Sequence, residues 1–226
     1  MRALALLAAL VATPVLALPP QPFSARYTVQ KDGSAIGAAT LDFKRDRAGG
    51  EFVTRSRGTD GLAALAALDI EERSTLRWTA DAVETVSYRY RQTSAFNQRE
   101  RRIDVSRGGI VSQDKQRHEF PYRAGVLDRH ALTIALMQAL ASGARGELSF
   151  WVVDRDELEQ QRYRIAGEER LNTAIGAREA IRVERLREGD GRRSTTIWFD
   201  RERGHVPLRI LDVNRKGETL DLQISG

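Results

Sequence analysis

Residues 23–30 read Phe-Ser-Ala-Arg-Tyr-Thr-Val-Gln, and every apolar or aromatic residue from Phe23 to Val29 is followed by a polar one. This alternation places every second side chain on one face, which is typical of a half-buried β-strand. Asp32–Gly33 then favours a tight turn, and residues 36–44 are the expected antiparallel partner. The pattern predicts that the folded domain opens with a β-hairpin.

The same alternation continues through most of the remaining chain, with turn residues every 8 to 12 positions. Residues 159–166 and 168–173, for example, are two predicted strands with a turn at Gly167. About 11–12 short strands are expected in all. We therefore predict an all-β, mainly antiparallel fold, in which one large twisted sheet forms an open half-barrel or barrel.

One helix interrupts the strands, over about residues 128–142. Asp128 is its predicted N-cap and Gly143 its predicted end, and a capping role predicts a cost of about 1 kcal/mol for Asp128→Ala. Leucine and other apolar residues occur on nearly every side of the helix, including Leu132, Leu136 and Leu140. Such a helix is buried from several directions, which fits a plug inside a curved sheet.

The composition excludes several functional classes. The 226 residues contain no cysteine, which excludes disulfides, thiolate nucleophiles, cysteine-ligated zinc and iron–sulfur clusters. The 36 basic and 31 acidic residues give a net charge of +5, and the arginine runs near Arg101 and Arg193 lie beside acidic residues. A nucleic-acid-binding protein usually clusters its cations on one face. We therefore expect no nucleic-acid partner.

The first 17 residues have the features of a secretory signal peptide. Arg2 precedes an apolar run from Ala3 to Val15, and small residues lie at the positions that a signal peptidase reads before a cut after Ala17. The run is shorter than the roughly 20 residues of a membrane-spanning helix. We expect a periplasmic protein that does not span the membrane after cleavage, with a Pro-rich spacer at 18–22 and a single domain over 23–226.

Motifs for catalysis or metal binding are not recognisable in the sequence. The three histidines, His118, His130 and His205, lie in no known catalytic frame, and there is no Gly-x-Ser-x-Gly elbow. The acidic residues between 154 and 159 lie close to Arg155 and Arg162, which neutralise them, and are typical of a solvated turn. We expect no metal, no cofactor and no enzymatic activity.

An unusual apolar stretch over residues 61–68 consists of glycine, leucine and alanine only. It predicts either a short helix packed under the sheet or an apolar flap at the mouth of a ligand cavity. With the long helix, a flap would supply the apolar lining that an acyl chain requires. The candidate ligand contacts are Leu62, Leu65, Leu68, Leu132, Leu136 and Leu140.

Particular residues along the whole domain form a familiar pattern. They are Phe23-x-Ala25-x-Tyr27, Ile36-Gly37, Gly61-Leu62, Asp128 at the helix start, Gly167-x-Glu169-x-Leu171-x-Thr173-x-x-Gly176, Trp198 and Pro207-Leu208-Arg209-Ile210. The chain resembles the periplasmic domain-of-unknown-function family 3108. The resemblance implies a fold similar to the lipoprotein carriers LolA and LolB. We expect structural roles for Asp128, Gly176, Trp198 and Pro207, because a helix cap, turn residues and a strand aromatic are typical determinants of a fold.

These observations favour a monomeric, non-enzymatic cell-envelope protein that binds an apolar or amphipathic ligand such as a lipid or acyl chain. A second hypothesis is a structural or assembly factor that contacts an envelope protein through its surface or a sheet edge. A third is a hydrolase whose carboxylates are brought together by the fold.

Overall fold

The computed structural model describes residues 19–79, 82–187 and 193–226. The predicted signal peptide over 1–17 and its cleavage site after Ala17 lie outside the described residues. The described part of the predicted spacer has no regular secondary structure, and Pro20 within it is buried.

Fifteen strands of the described chain form one sheet, together with two helices. The elements are β1 (Phe23–Lys31), β2 (Ser34–Arg45), β3 (Gly49–Gly58), α1 (Gly61–Leu65), β4 (Asp69–Trp78), β5 (Val83–Thr93), β6 (Gln98–Ser106), β7 (Gly109–Gln113), β8 (Arg117–Phe120), β9 (Leu127–Asp128), α2 (Leu132–Ala141), β10 (Glu147–Asp154), β11 (Glu157–Thr173), β12 (Gly176–Leu186), β13 (Ser194–Asp200), β14 (Pro207–Val213) and β15 (Thr219–Ile224).

Chain order and spatial order are closely related in this sheet. Consecutive strands pair from β1 to β8 and from β9 to β15, and β1 also pairs with β15. The first and last strands therefore lie side by side, and the two edges of the sheet, β8 and β9, come from the middle of the chain. The β9–β10 pair is parallel, while the other pairs of described strands are antiparallel. This is the predicted all-β, mainly antiparallel architecture of an open half-barrel.

Helix α2 fills the concave side of the sheet. Ala25, Tyr27 and Val29 of β1 are buried as the opening alternation predicts, and they belong to the same core cluster as the helix. Residues on all sides of α2 are buried, including Leu132, Leu136 and Leu140. The uniform hydrophobicity of this segment thus correctly indicated a helix that is covered from several directions.

Three details differ from the sequence-based prediction. The helix begins at Leu132 rather than near 128, because Asp128 belongs to β9 and Ala131 occupies the N-cap position. Gly167 does not end a strand: β11 continues through it, with a register shift between Ile165 and Gly167 that a positive φ of 136° accommodates. The sheet has fifteen strands instead of 11–12, because three of them, β7 to β9, are only two to five residues long.

The predicted structural residues lie where strands meet. Trp198 is buried, its indole N–H donates to Glu169 Oε1, and the Arg209 guanidinium lies 5.0 Å from its ring centroid. The carbonyl of Pro207 accepts a hydrogen bond of 2.6 Å from the Tyr27 hydroxyl. Gly176 has a φ of 99° at the turn between β11 and β12. Among the described residues, neither helix is long and apolar enough to cross a bilayer.

Candidate functional site

A hydrogen-bond network surrounds the carboxylate of Asp128, which is fully buried where β9 leads into α2. Its Oδ1 atom accepts from the Ser74 hydroxyl at 2.9 Å and from the backbone N–H groups of His130 and Ala131 at 2.8 and 2.9 Å. Its Oδ2 atom accepts from the Thr85 hydroxyl at 2.9 Å, and the Thr85 oxygen accepts from the Asp128 N–H at 2.8 Å. The carboxylate therefore joins β4, β5 and the turn before α2.

His130 extends the network toward β3. Its ring is stacked on Phe52 with 4.2 Å between the centroids, and its Nδ1 and Nε2 atoms lie 2.8 Å from Ser74 Oγ and from Thr54 Oγ1. Since the single hydroxyl proton of Ser74 is donated to Asp128, the Ser74 oxygen accepts from Nδ1–H, and Thr54 donates to Nε2. The hydrogen bonds thus define a neutral imidazole with its proton on Nδ1.

Asp128, Ser74 and His130 are the residue types of a hydrolytic triad, but they are connected in another order. In a triad the histidine lies between the serine and the carboxylate. In this protein Ser74 lies between His130 and Asp128, and Ser74 is fully buried. The arrangement fixes the turn before α2, and it does not expose the Ser74 hydroxyl to a substrate.

An ion pair holds the residue between Asp128 and His130. Arg129 Nη2 donates to Glu72 Oε2 at 2.9 Å, and the Tyr88 hydroxyl donates to the same oxygen at 2.6 Å. Burial by itself raises the pKa of Glu72, but the Arg129 guanidinium and these hydrogen bonds bring that pKa below its ordinary value. All three residues of the turn are therefore bonded to side chains on β3, β4 or β5.

The pH dependence of stability should distinguish Asp128 from His130. Burial raises the pKa of Asp128 to about 6, so the folded protein takes up this proton before the unfolded chain does as the pH falls. Burial lowers the pKa of His130 from 6.5 to about 4, so the unfolded chain takes up that proton first. We expect Asp128→Asn to lose stability relative to the wild type as the pH falls from 6.5 to 4, and His130→Gln to gain it.

Urea unfolding of the wild type and both variants across this pH range measures the two differences. Carboxylates whose pKa is lowered in the folded protein, such as Glu71 and Glu72, are present in all three proteins and largely cancel in the comparison. If the unfolding free energies of both variants change with pH in the same way as that of the wild type, the protonation states assigned to Asp128 and His130 are contradicted.

A second feature lies at the end of the half-barrel where β3 connects to β4 and β5 connects to β6. Leu62 and Leu65 on α1 and Phe96 in the β5–β6 loop are 84%, 79% and 87% exposed, the highest values among the large apolar side chains of the described residues. Scattered single apolar residues are common on protein surfaces, whereas three strongly exposed ones on adjoining loops are unusual. We call Leu62, Leu65 and Phe96 the apolar tip.

Backbone hydrogen bonds hold the two loops of the tip together. The Ala95 N–H donates to the Ala66 carbonyl at 2.8 Å, and the Leu68 N–H donates to the Ala63 carbonyl at 3.1 Å. Gly58 at the end of β3 lies so close to α1 that a Cβ atom there would be 2.4 to 2.8 Å from atoms of Ala63. The apolar side chains are therefore displayed on a defined scaffold.

The six leucines predicted as ligand contacts fall into two separate places. Leu62 and Leu65 lie on the exposed tip and Leu68 nearby is half-buried, whereas Leu132, Leu136 and Leu140 are buried in the core around α2. The apolar stretch 61–68 does contain a short helix, but α1 has no buried residue, so it does not pack under the sheet as one prediction had it. A ligand role for the α2 leucines stays a prediction.

Sequence reasoning missed several residues of these features. Phe96 is a single aromatic residue in a polar loop, so only the folded structure shows that it lies close to α1. A weak sequence signal existed for Ser74, Thr85 and Glu72, because they are polar residues at strand positions that face the core. Among the described residues, no group of three or more histidine, aspartate or glutamate side chains could hold a metal ion.

The described residues also form a cavity of about 600 Å³ along β4 to β7. Its lining is rich in arginine and contains none of the six predicted leucines. It lies along the strands whose connecting loops carry the apolar tip.

The fold and these surfaces define the class of protein as an all-β half-barrel wrapped around a central helix. The family model of the protein of unknown function DUF3108 matches residues 23–222, and the chain belongs to this family. The match confirms the family resemblance of the sequence. A search of curated protein sequences found no significant relative.

A solved structure supports the fold. A β-barrel-like protein of the DUF1849 family from Brucella abortus aligns with a TM-score of 0.58 and 11% identity, over 92% of this chain and 97% of its own. A DUF1089 family protein from Pseudomonas aeruginosa, at 14% identity over 96% and 95% of the chains, reaches a TM-score of 0.31. A protein with a YmcC-like fold from Bacteroides fragilis, described as exported, also reaches 0.31, at 12% identity over 93% and 97% of the chains.

Proposed function

We propose that this protein is a non-enzymatic protein of the periplasm that contacts the acyl chains of a lipid surface through its apolar tip. The observation that carries the proposal is the exposure of Leu62, Leu65 and Phe96 on two hydrogen-bonded loops. Two expectations from the sequence belong to the same proposal, namely export by the leader at 1–17 and a fold like that of LolA and LolB.

The magnitude of apolar burial favours lipid contact. Transferring one exposed leucine or phenylalanine side chain from water to an apolar phase contributes about 1.5–3 kcal/mol. Three such side chains together contribute on the order of 5 kcal/mol, which suffices for reversible attachment of a protein to a bilayer surface. Leu62 and Leu65 are three residues apart on α1, so both can enter the same apolar layer.

Charge distribution is compatible with this contact. Neither α1 nor the segment 94–97 contains a charged residue, so inserting the tip does not require desolvation of an ion. The arginines of the cavity along β4 to β7 lie on the strands that support the tip. Anionic headgroups attract basic side chains near a membrane. The buried position of Ser74 between Asp128 and His130 supports the non-enzymatic part of the proposal.

Flotation with lipid vesicles tests the proposal. Mature protein should float with vesicles of phosphatidylethanolamine and phosphatidylglycerol, and the triple variant Leu62→Gln, Leu65→Gln, Phe96→Gln should bind at least about tenfold more weakly, since 1.4 kcal/mol corresponds to a factor of ten. Leu220→Gln is the matched control, because Leu220 is a 42% exposed leucine outside the tip. Circular dichroism should show all three proteins folded.

The outcomes separate lipid contact from partner binding. A wild-type protein that does not float, or a triple variant that floats as the wild type does, would refute the proposal. If the tip variants instead lose a specific protein crosslink in cells while vesicle binding is absent, the tip belongs to an assembly factor that binds an envelope protein.

A further inference from the structure

The cavity along β4 to β7 is bordered by arginines that the function proposed above does not require. Five arginines and three carboxylates contribute to its lining, and two further carboxylates, Glu51 and Asp104, pair with lining arginines from beside it. Arg73, Arg89 and Arg102 alternate along their strands with the buried residues Ser74, Tyr88 and Ile103. Strand alternation therefore directs them to the outer face, away from α2.

These three arginines are direct neighbours across the strands. Arg73 is paired in register with Arg89, and Arg89 is paired with Arg102. Facing residues on antiparallel strands are separated by roughly 5 Å, and like charges at this distance destabilise a sheet. Three neighbouring guanidinium groups therefore need anionic partners that offset their mutual repulsion.

The native carboxylates neutralise only part of the row. Arg73 pairs with Glu51 at 2.7 Å and with Glu71 at 3.3 Å, and Arg89 pairs with Asp104 at 2.6 Å. Arg102, at the end of the row, makes no ion pair within the described residues.

Arg91 is the second unpaired arginine of the cavity. It lies between Glu71 and Glu100 in the cross-strand register, yet it makes no ion pair with any described residue. Glu71 is already bonded to Arg55 at 3.0 Å and to Arg73. Arg91 and Arg102 are therefore two cations beside one cavity whose guanidinium groups remain available to a ligand.

Arg89 in the middle of the row has a fixed orientation. Its Nη1 atom donates to the backbone carbonyls of Tyr88 and Ile103 at 2.9 and 3.1 Å, and its Nη2 atom donates to Asp104. A guanidinium that is held in this way loses little conformational entropy when a ligand binds beside it. The cavity thus combines one oriented cation, Arg89, with two available ones, Arg91 and Arg102.

We propose that this cavity, the arginine groove, binds a phosphate-bearing ligand through Arg91 and Arg102 beside Arg89. Guanidinium groups bind phosphate oxygens through two parallel hydrogen bonds. Arg91 and Arg102 are diagonal neighbours on adjacent strands, a separation that long side chains can span. The phosphate can come from a lipid headgroup or from a free phosphate compound, and both share this chemistry. The inference rests on Arg89, Arg91 and Arg102 and does not depend on the apolar tip.

Calorimetric titration with pyrophosphate at constant ionic strength tests the groove. The wild type should show saturable binding, and the double variant Arg91→Gln, Arg102→Gln should bind at least tenfold more weakly. Arg170→Gln is the matched control, because Arg170 is an exposed arginine on β11 outside the groove, without an ion pair among the described residues. Pyrophosphate should also raise the melting temperature of the wild type and of the control, but not of the double variant.

A second arm identifies the source of the phosphate. If the double variant also loses affinity for phosphatidylglycerol vesicles, the groove binds lipid headgroups; if vesicle binding is unchanged while pyrophosphate binding is lost, it binds a free phosphate compound. The inference is overturned if the wild type shows no saturable pyrophosphate binding, or if the double variant binds as tightly as Arg170→Gln. Neither result alters the test of the apolar tip, which uses different residues.

Discussion

Asp128→Ala should lower the free energy of unfolding by about 4 kcal/mol, several times the cost of losing a helix N-cap. The substitution removes an acceptor of four hydrogen bonds in a fully buried place. It leaves the hydroxyls of Ser74 and Thr85 and two backbone N–H groups without this partner, and each unsatisfied buried group costs about 1–3 kcal/mol. The burial that raises the pKa of Asp128 to about 6 already costs stability, which keeps the estimate below the sum of the four bonds.

Urea unfolding at neutral pH measures this loss, and Asp60→Ala is its control. Asp60 precedes α1 at the N-cap position, is exposed, and makes no side-chain cap hydrogen bond, so its replacement should change stability by about 0.5 kcal/mol or less. If Asp128→Ala costs no more than about 1 kcal/mol, Asp128 acts only as an ordinary cap.

Leu136 and Leu62 were both predicted as ligand contacts, but truncating them to alanine should affect stability in different ways. Leu136→Ala should destabilise the protein by about 2–5 kcal/mol, because Leu136 is fully buried in the core around α2 and its loss leaves a cavity. Leu62→Ala should leave the unfolding free energy within about 0.5 kcal/mol of the wild type, because the side chain is 84% exposed. Only Leu62→Ala should weaken vesicle binding without loss of stability.

Chemical denaturation and vesicle flotation of both variants check this contrast. A stable Leu136→Ala variant would mean that α2 is not the central element of the core. A strongly destabilised Leu62→Ala variant would mean that α1 packs against the sheet in solution, and the apolar tip would then lose its basis.

Local sequence patterns predicted secondary structure correctly where the burial of apolar side chains dominates. The alternation at Phe23 to Val29 predicted a half-buried strand because burial of one face decides strand register. The apolar residues of α2 predicted a helix covered on all sides, and Gly143, with a φ of 76°, ends it as expected. The sequence pattern wrongly predicted a turn at Gly167, where β11 continues through a bulge. A glycine with positive φ is common in turns and in bulges, so its position alone does not distinguish them.

The candidate sites depend on contacts between distant segments far more than the individual strands and helices do. Asp128 was recognised as an important residue, but the sequence supports only a capping role, since Ser74 and Thr85 are 54 and 43 residues away. Phe96 adjoins α1 only because β4 and β5 pair and so place their loops together. The arginine row arises in the same manner, because cross-strand register aligns Arg73, Arg89 and Arg102.

The all-β class, the central apolar helix and the family could be predicted from the amino-acid sequence, because residue periodicity and short motifs depend on neighbours along the chain. Which leucines are exposed, which polar side chains surround Asp128 and where unpaired arginines meet became visible only in the folded protein. These properties follow from strand register and from the packing of the turn before α2 against β3 to β5, and both bring together residues that are far apart in the sequence.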